Sequence, residues 1–248
     1  MSQQLPPDES QRWNAHVQGL VQCALTMTDS GFKRERTADR SSKIMGKVFQ
    51  VTTSNIDQVM GQIARLADEN GRDMRPKCSE GCDYCCYHWV RATAPEVFAV
   101  YKHIQDTYTS DQSFNLHEAL RRYREEFFSH PIGTHFALGC PLLVDHRCSV
   151  YESRPLICRG TTSLDVEACK IGKDKPGDPD VFIPVVMPLL SLAAALRQGV
   201  ARGLMQQQMG GADLVLGLAL LVLFDDPDAV DKYFAGENVF TSAIAPAD

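Results

Sequence analysis

Apolar residues recur at helical spacing along several stretches of this chain. Ile56, Val59, Met60, Ile63 and Leu66 share one face of a helix that begins after the cap candidates Thr53 and Ser54 and ends near Asn70-Gly71. Thr93-Ala-Pro-Glu96 reads as a capping box with proline in the first turn, and the helix behind it presents Val97, Val100, Tyr101 and Ile104. Leu116, Leu120, Tyr123 and Phe127 predict a further helix from about Ser113 to Phe128, closed by Pro131 and Gly133. Leu189, Leu192, Ala193, Leu196, Val200 and Leu204 form another amphipathic series. A helix starts at Leu214 behind Asp213, and Asp226-Pro227 opens a short one through Phe234 that Gly236 stops. These leucine and aromatic stripes are core positions and carry no chemistry.

Two stretches lack such periodicity. Residues 1–50 read as a polar N-terminal extension, with one helix candidate from Glu9 to Thr28 and a basic stretch at Lys33-Arg-Glu-Arg. Residues 139–180 are rich in Cys, Pro, Gly and charge and read as a long irregular segment. A loop of that length inside a compact domain needs something to hold it. The expected fold is mainly α, with helices packed around a cysteine-rich irregular metal-binding segment. The expected organisation is the extension 1–50, then a single domain over 51–248 with a metal core at 75–172 and a helical C-terminal part at 181–236. The sequence has no internal repeat, no P-loop, no dinucleotide-binding glycine pattern after a strand and no nucleophile elbow.

Composition narrows the classes. Of 248 residues, 44% are hydrophobic and 23% charged, which suits a globular chain and excludes wholesale disorder. Lys plus Arg is 25 against 31 Asp plus Glu, a net charge of −6, which argues against nucleic acid or an anionic membrane as partner. The basic stretch near Lys33 is then a solvated face. The N-terminus shows no secretory pattern. The apolar run Leu214–Phe224 is about half the length of a membrane span, and the run 181–196 is broken by Pro184, Pro188 and Ser191. A cytoplasmic protein is expected. In a reducing compartment clustered thiols serve metals or catalysis more often than disulfides.

The cysteines carry the chemistry. There are nine, and eight lie between Cys78 and Cys169. Cys78, Cys82, Cys85 and Cys86 sit in one loop punctuated by Pro76 and Gly81, at a spacing that lets thiolates turn inward onto one soft metal centre, zinc or iron–sulfur. Adjacent side chains diverge, so Cys85 and Cys86 are expected to face different positions. Cys140, Cys148, Cys158 and Cys169 are too widely spaced for one knuckle and suit a folded-back segment. Eight thiols make two four-ligand sites, or one cluster with supporting cysteines, and the spacing does not choose. Cys23 stands apart and reads as a small buried hydrophobe.

These patterns together, Cys78-x3-Cys82-x2-Cys85-Cys86, Cys140-Pro-Leu-Leu and Cys148-Ser-Val-Tyr151-Glu-Ser-Arg154-Pro155-Leu-Ile-Cys158-Arg159, resemble the YkgJ-type cysteine-cluster family over roughly residues 75–172. That family is described as a zinc- or iron-chelating domain, and a similar cysteine core occurs in flagellin lysine-N-methylases, where an iron–sulfur cluster is implicated. The resemblance assigns Cys78, Cys82, Cys85, Cys86, Cys140, Cys148, Cys158 and Cys169 to the chelating set. It transfers no methyl-donor site, since the segments outside the core show none. Beside the thiols, Arg154 and Arg159 can donate to metal-bound sulfur and offset its charge, or else form surface ion pairs. Tyr151 either covers the site or fills the core. His88 and His146 sit near cysteines and could replace one as ligand, though each reads better as a surface or satisfied histidine. None of the seven histidines is paired at the spacing of a hydrolytic zinc site, and Asp225, Asp226 and Asp228 read as helix N-terminal charge rather than a calcium loop.

Cys78-x3-Cys82-x-Tyr84-Cys85 also looks like the cluster loop of radical S-adenosylmethionine enzymes. That family places the loop after the first strand of an α/β barrel, whereas helices follow here. The function expected is an iron–sulfur protein, with a [4Fe–4S] cluster on the clustered cysteines, for redox or radical-type modification of a protein partner. The alternative is a Zn2+-stapled interaction module without catalysis.

Overall fold

The computed structural model describes residues 7–71, 73–129 and 138–246. The fold is mainly α. Helices α1 (Pro7–Arg34) and α2 (Ala38–Asn70) come first, and a 3-10 turn at Tyr84–Tyr87 and strand β1 (Arg91–Ala92) precede α3 (Ala94–Thr107) and α4 (Ser110–Ser129). The middle holds β2 (Leu143–Val144), β3 (Arg147–Cys148), α5 (Leu156–Gly160) and α6 (Val166–Asp174). Then come α7 (Met187–Gln206), β4 (Leu214–Val215), α8 (Leu216–Asp225) and α9 (Ala229–Phe234).

The described part of the expected polar extension, residues 7–50, instead contributes to the core. They form α1 and the first part of α2, and supply Leu20, Val21, Ala24, Phe32, Ile44, Met45 and Val48 to it. Their polar appearance comes from the wide exposed faces of two long helices, which outnumber a narrow apolar stripe. α1 lies against α7 at close range. A methyl group at Gly199 would run into the Val21 carbonyl, and one at Gly203 into Thr28.

α2 also starts earlier than its sequence suggests. Thr37, not Thr53 or Ser54, is the N-cap, and its hydroxyl accepts from the Arg40 amide at 3.2 Å. Thr52, Thr53 and Asn55 turn their side chains back onto the carbonyls of Val48, Phe49 and Val51 at 2.7, 3.0 and 2.8 Å, so polar groups that resemble a start are satisfied inside the helix. The end falls where expected, at Gly71 with φ 64°, the left-handed cap that glycine adopts without strain.

The predicted capping box of α3 is present. Glu96 Oε2 accepts from the Thr93 amide at 2.7 Å and from the Thr93 hydroxyl at 2.8 Å. α4 buries Leu116, Leu120, Tyr123 and Phe127 as expected; Pro131 and Gly133, its predicted stops, lie outside the described residues. α7 and α9 match their expected spans, while Leu214 and Val215 form β4, antiparallel to β1, before α8 begins. The cysteine-rich stretch after residue 138 is less irregular than its sequence reads. It contains a two-residue-per-strand hairpin and two short helices, each too brief to leave a periodic signature. Among the described residues no helix is long and apolar enough to cross a membrane.

Candidate metal centre

The cysteine loop is fastened at its start. The Lys77 amide donates to the Ser163 carbonyl at 2.8 Å, and the Ser163 amide approaches Cys78 Sγ at 3.4 Å. Gly81, at φ 83°, turns the chain through a left-handed conformation that lets the Cys82 amide reach the Ser79 carbonyl at 3.1 Å. Cys85 and Cys86 then ride on the 3-10 turn, whose first bond runs from the Cys86 amide to the Asp83 carbonyl at 2.8 Å. The neighbouring Cys86 thiol is the first cause that raises the Cys85 thiol above its ordinary value.

The second group is brought back to this loop by separate devices. The Cys140 amide donates to the Cys86 carbonyl at 2.7 Å. Cys148 is paired with Leu143 across the β2–β3 hairpin. Cys158 sits on α5, whose first amide, Leu156 N, donates to buried Glu96 at 2.7 Å. Cys169 sits on α6, capped by the Asp165 carboxylate. α6 packs on the 3-10 turn, with Lys173 Nζ 3.8 Å from the centre of the Tyr87 ring.

The electrostatics shows which thiols feel one another. Burial pushes the Cys140 thiol up to about 12, with Cys148 and Cys85 adding to the effect. Burial raises Cys158 well above its ordinary value, reinforced by Cys140, Cys85, Cys148 and Glu96. Cys148 is raised by burial, and Arg154 and Arg159 pull it the other way. Cys82 and Cys169 are raised by burial and share Cys78 and Cys85 as neighbours. Cys85 is raised first by the Cys86 thiol beside it. Cys85 is thus the hub of these influences, acting on Cys82 and Cys169 as well as on Cys140, Cys148 and Cys158. All nine cysteines are free thiols, and Cys78 and Cys85 are the exposed ones. Cys23, on α1, belongs to neither segment and is half-buried.

Among the described residues no three His, Cys, Asp or Glu side chains stand so that they could hold a metal ion between them. The chemistry of the donor set nonetheless fits a soft metal centre: uncrosslinked thiols, poor in oxygen ligands, with cationic neighbours. Arg154 lies over the Tyr151 ring at 3.7 Å and Arg159 over Phe49 at 4.1 Å, and both lower the pKa of Cys148. Among the described residues neither arginine makes the surface ion pair that was the alternative. Tyr151 is exposed beneath Arg154 and fills no core position.

His146 is a satisfied surface histidine, its Nδ1 lying 2.8 Å from Oδ2 of Asp83. Asp83 and Glu96 were not singled out as site residues from sequence; an acid directly after Cys82 and the capping glutamate before the α5 contact are the signals that could have found them. Asp225 and Asp226 pair with His117 and Lys232 at 2.7 Å each, outside the cysteine segments. His130 and His135 lie outside the described residues.

A helical scaffold carries the eight thiols on a loop, a hairpin segment and two short helices, the arrangement of a cysteine-rich domain. Residues 77–176 match the CxxCxxCC family, described as a "putative zinc- or iron-chelating domain", over about two fifths of the chain. That segment is a cysteine-cluster domain of this family, as the YkgJ-type motifs imply, and its character is metal-chelating. No curated protein and no solved structure matched the chain.

Proposed function

We propose that the set Cys78, Cys82, Cys85, Cys86, Cys140, Cys148, Cys158 and Cys169 supplies the four ligands of an iron–sulfur cluster of the [4Fe–4S] type, with the other thiols supporting it or forming a second centre, in a cytoplasmic protein that acts on a protein partner. The observation that carries the reading is that both cysteine segments meet at one loop, where the Cys140 amide donates to the Cys86 carbonyl at 2.7 Å and the Ser163 amide approaches Cys78 Sγ at 3.4 Å. A single tetrahedral zinc would draw four sulfurs to within roughly 4 Å of one another. Thiols linked more loosely through a central cysteine suit a centre whose irons are joined by sulfide and whose protein ligands stand wider apart. When bound, such a cluster supplies one-electron chemistry. The chain's own residues hold it, crowd it with Arg154 and Arg159, and leave Cys78 and Cys85 on the solvent side, where a partner could approach.

Zinc is the second reading. It is favoured by the brevity of the elements between residues 140 and 174, which gain from any metal that ties them together. Substitution tests the site itself. Cys85→Ser should lose most of the bound metal, while Cys23→Ser keeps native stoichiometry. A Cys85→Ser protein with the full native complement would contradict the hub.

A further inference from the structure

We infer that Asp83 and His146 are positioning residues of the metal centre: together they clamp the hairpin that carries Cys148 onto the loop that carries Cys78 to Cys86. The inference rests on the metal-binding reading above and adds how the two halves of the thiol set are held in register.

The two halves come from segments more than fifty residues apart in sequence. Four described contacts join the loop to the hairpin region. The Cys140 amide donates to the Cys86 carbonyl, and Tyr87 packs beside Gly139. Arg147 pairs with Glu80 at 3.1 Å, and His146 Nδ1–H donates to Asp83 Oδ2 at 2.8 Å. The contacts are unequal. Side chains of Arg147 and Glu80 are 72% and 81% exposed, so water and salt screen that pair. Asp83 is only 5% exposed, and besides His146 its Oδ2 has the Tyr87 hydroxyl at 3.5 Å. A buried carboxylate that loses its main donor is left poorly compensated, which makes this tie the strong one.

The backbone points the same way. Asp145 and His146 are the two central residues of the hairpin loop and both have left-handed φ, 48° and 62°. A two-residue turn of this kind favours Asn-Gly or Asp-Gly, because glycine takes the second position without strain. Here histidine occupies that position at a conformational cost, and the side chain it brings is the one that reaches Asp83. The next candidate ligands are close in sequence, Cys82 before Asp83 and Cys148 after Arg147. The imidazole itself is 74% exposed, so it contributes little to the core. The remaining nitrogen, Nε2, plays no part in the clamp.

The test separates the clamp from the fold. In His146→Gly the turn keeps its geometry and loses its strain, which offsets part of what Asp83 loses, so the metal-free chain should stay folded with a melting temperature lowered by at most about 5 °C. Transfer of metal from the loaded full-length protein to a chelator should nevertheless speed up about tenfold or more, with a changed thiolate-to-metal absorption band. Asp83→Asn retains an oxygen that accepts Nδ1–H and should stay within about threefold of the native rate, whereas Asp83→Ala should match His146→Gly. A native release rate and band in His146→Gly overturns the clamp and leaves the metal reading intact. A native chain that binds neither iron nor zinc overturns both.

Discussion

Glu96 shows how a single side chain ties the fold to the site. It is fully buried, and its two oxygens accept from the Thr93 amide, the Thr93 hydroxyl and the Leu156 amide, which joins the start of α3 to the start of the helix bearing Cys158. Glu96→Ala should destabilise the protein by roughly 3 kcal/mol, since it strips buried donors of a charged acceptor; a loss within about 0.5 kcal/mol in urea unfolding would contradict this role. Burial raises the Glu96 carboxyl above its ordinary value, outweighing the lowering by Thr93, Leu156 and Arg197. A carboxyl raised on folding binds its proton more tightly in the folded state. Its contribution to stability is present at acid pH, below the unfolded value, and is lost as pH rises through the folded value. The stability advantage of the native chain over Glu96→Gln should therefore be larger at pH 4 than at pH 7. Taking the difference between the two proteins cancels what any metal gives to both. An advantage that grows with pH would contradict the sign.

The elements differ in how openly the sequence declares them. α3, α4, α7 and α9 were legible because an apolar stripe, a capping box or a proline stood in the right place. α2 was legible only in its second half. Ser54 sits where a cap would be, yet Thr37 caps the helix, so Thr37→Ala should cost about 1 kcal/mol while Ser54→Ala should change thermal stability little. Equal effects would place the start of the helix wrongly. α1 was half legible because its core face is narrow and its partner, α7, approaches through glycine. Gly199→Ala should cost about 1–3 kcal/mol by pushing a methyl group onto the backbone of α1, whereas Gly19→Ala, in open space on the exposed face of α1, should add about 0.5–1 kcal/mol. The clustered cysteines stood out in the sequence and the family resemblance named them as a set, but the contacts that join their segments left no such mark. A two-residue strand, a five-residue helix and a buried aspartate have no periodicity to read, because their conformations come from contacts made across the chain.

At the scale of the molecule, two parts depend on different forces. α1, α2, α7 and α8 bury a continuous apolar core, which the hydrophobic effect holds without help. The loop at 78–87 and the segment at 140–174 are short elements joined to each other by single hydrogen bonds, with Leu142, Val150 and Leu156 of the segment anchored in the core. Removing metal should therefore strip hydrogen-exchange protection from those two stretches while α1 and α7 keep theirs; equal loss in both would show a single cooperative unit. The central claim is that the thiols carry an iron–sulfur cluster, and metal and sulfide analysis after anaerobic purification tests it most directly. Iron and acid-labile sulfide in matching amounts, in a brown protein with broad visible absorption, is the predicted result. A colourless protein with stoichiometric zinc and no sulfide would contradict it.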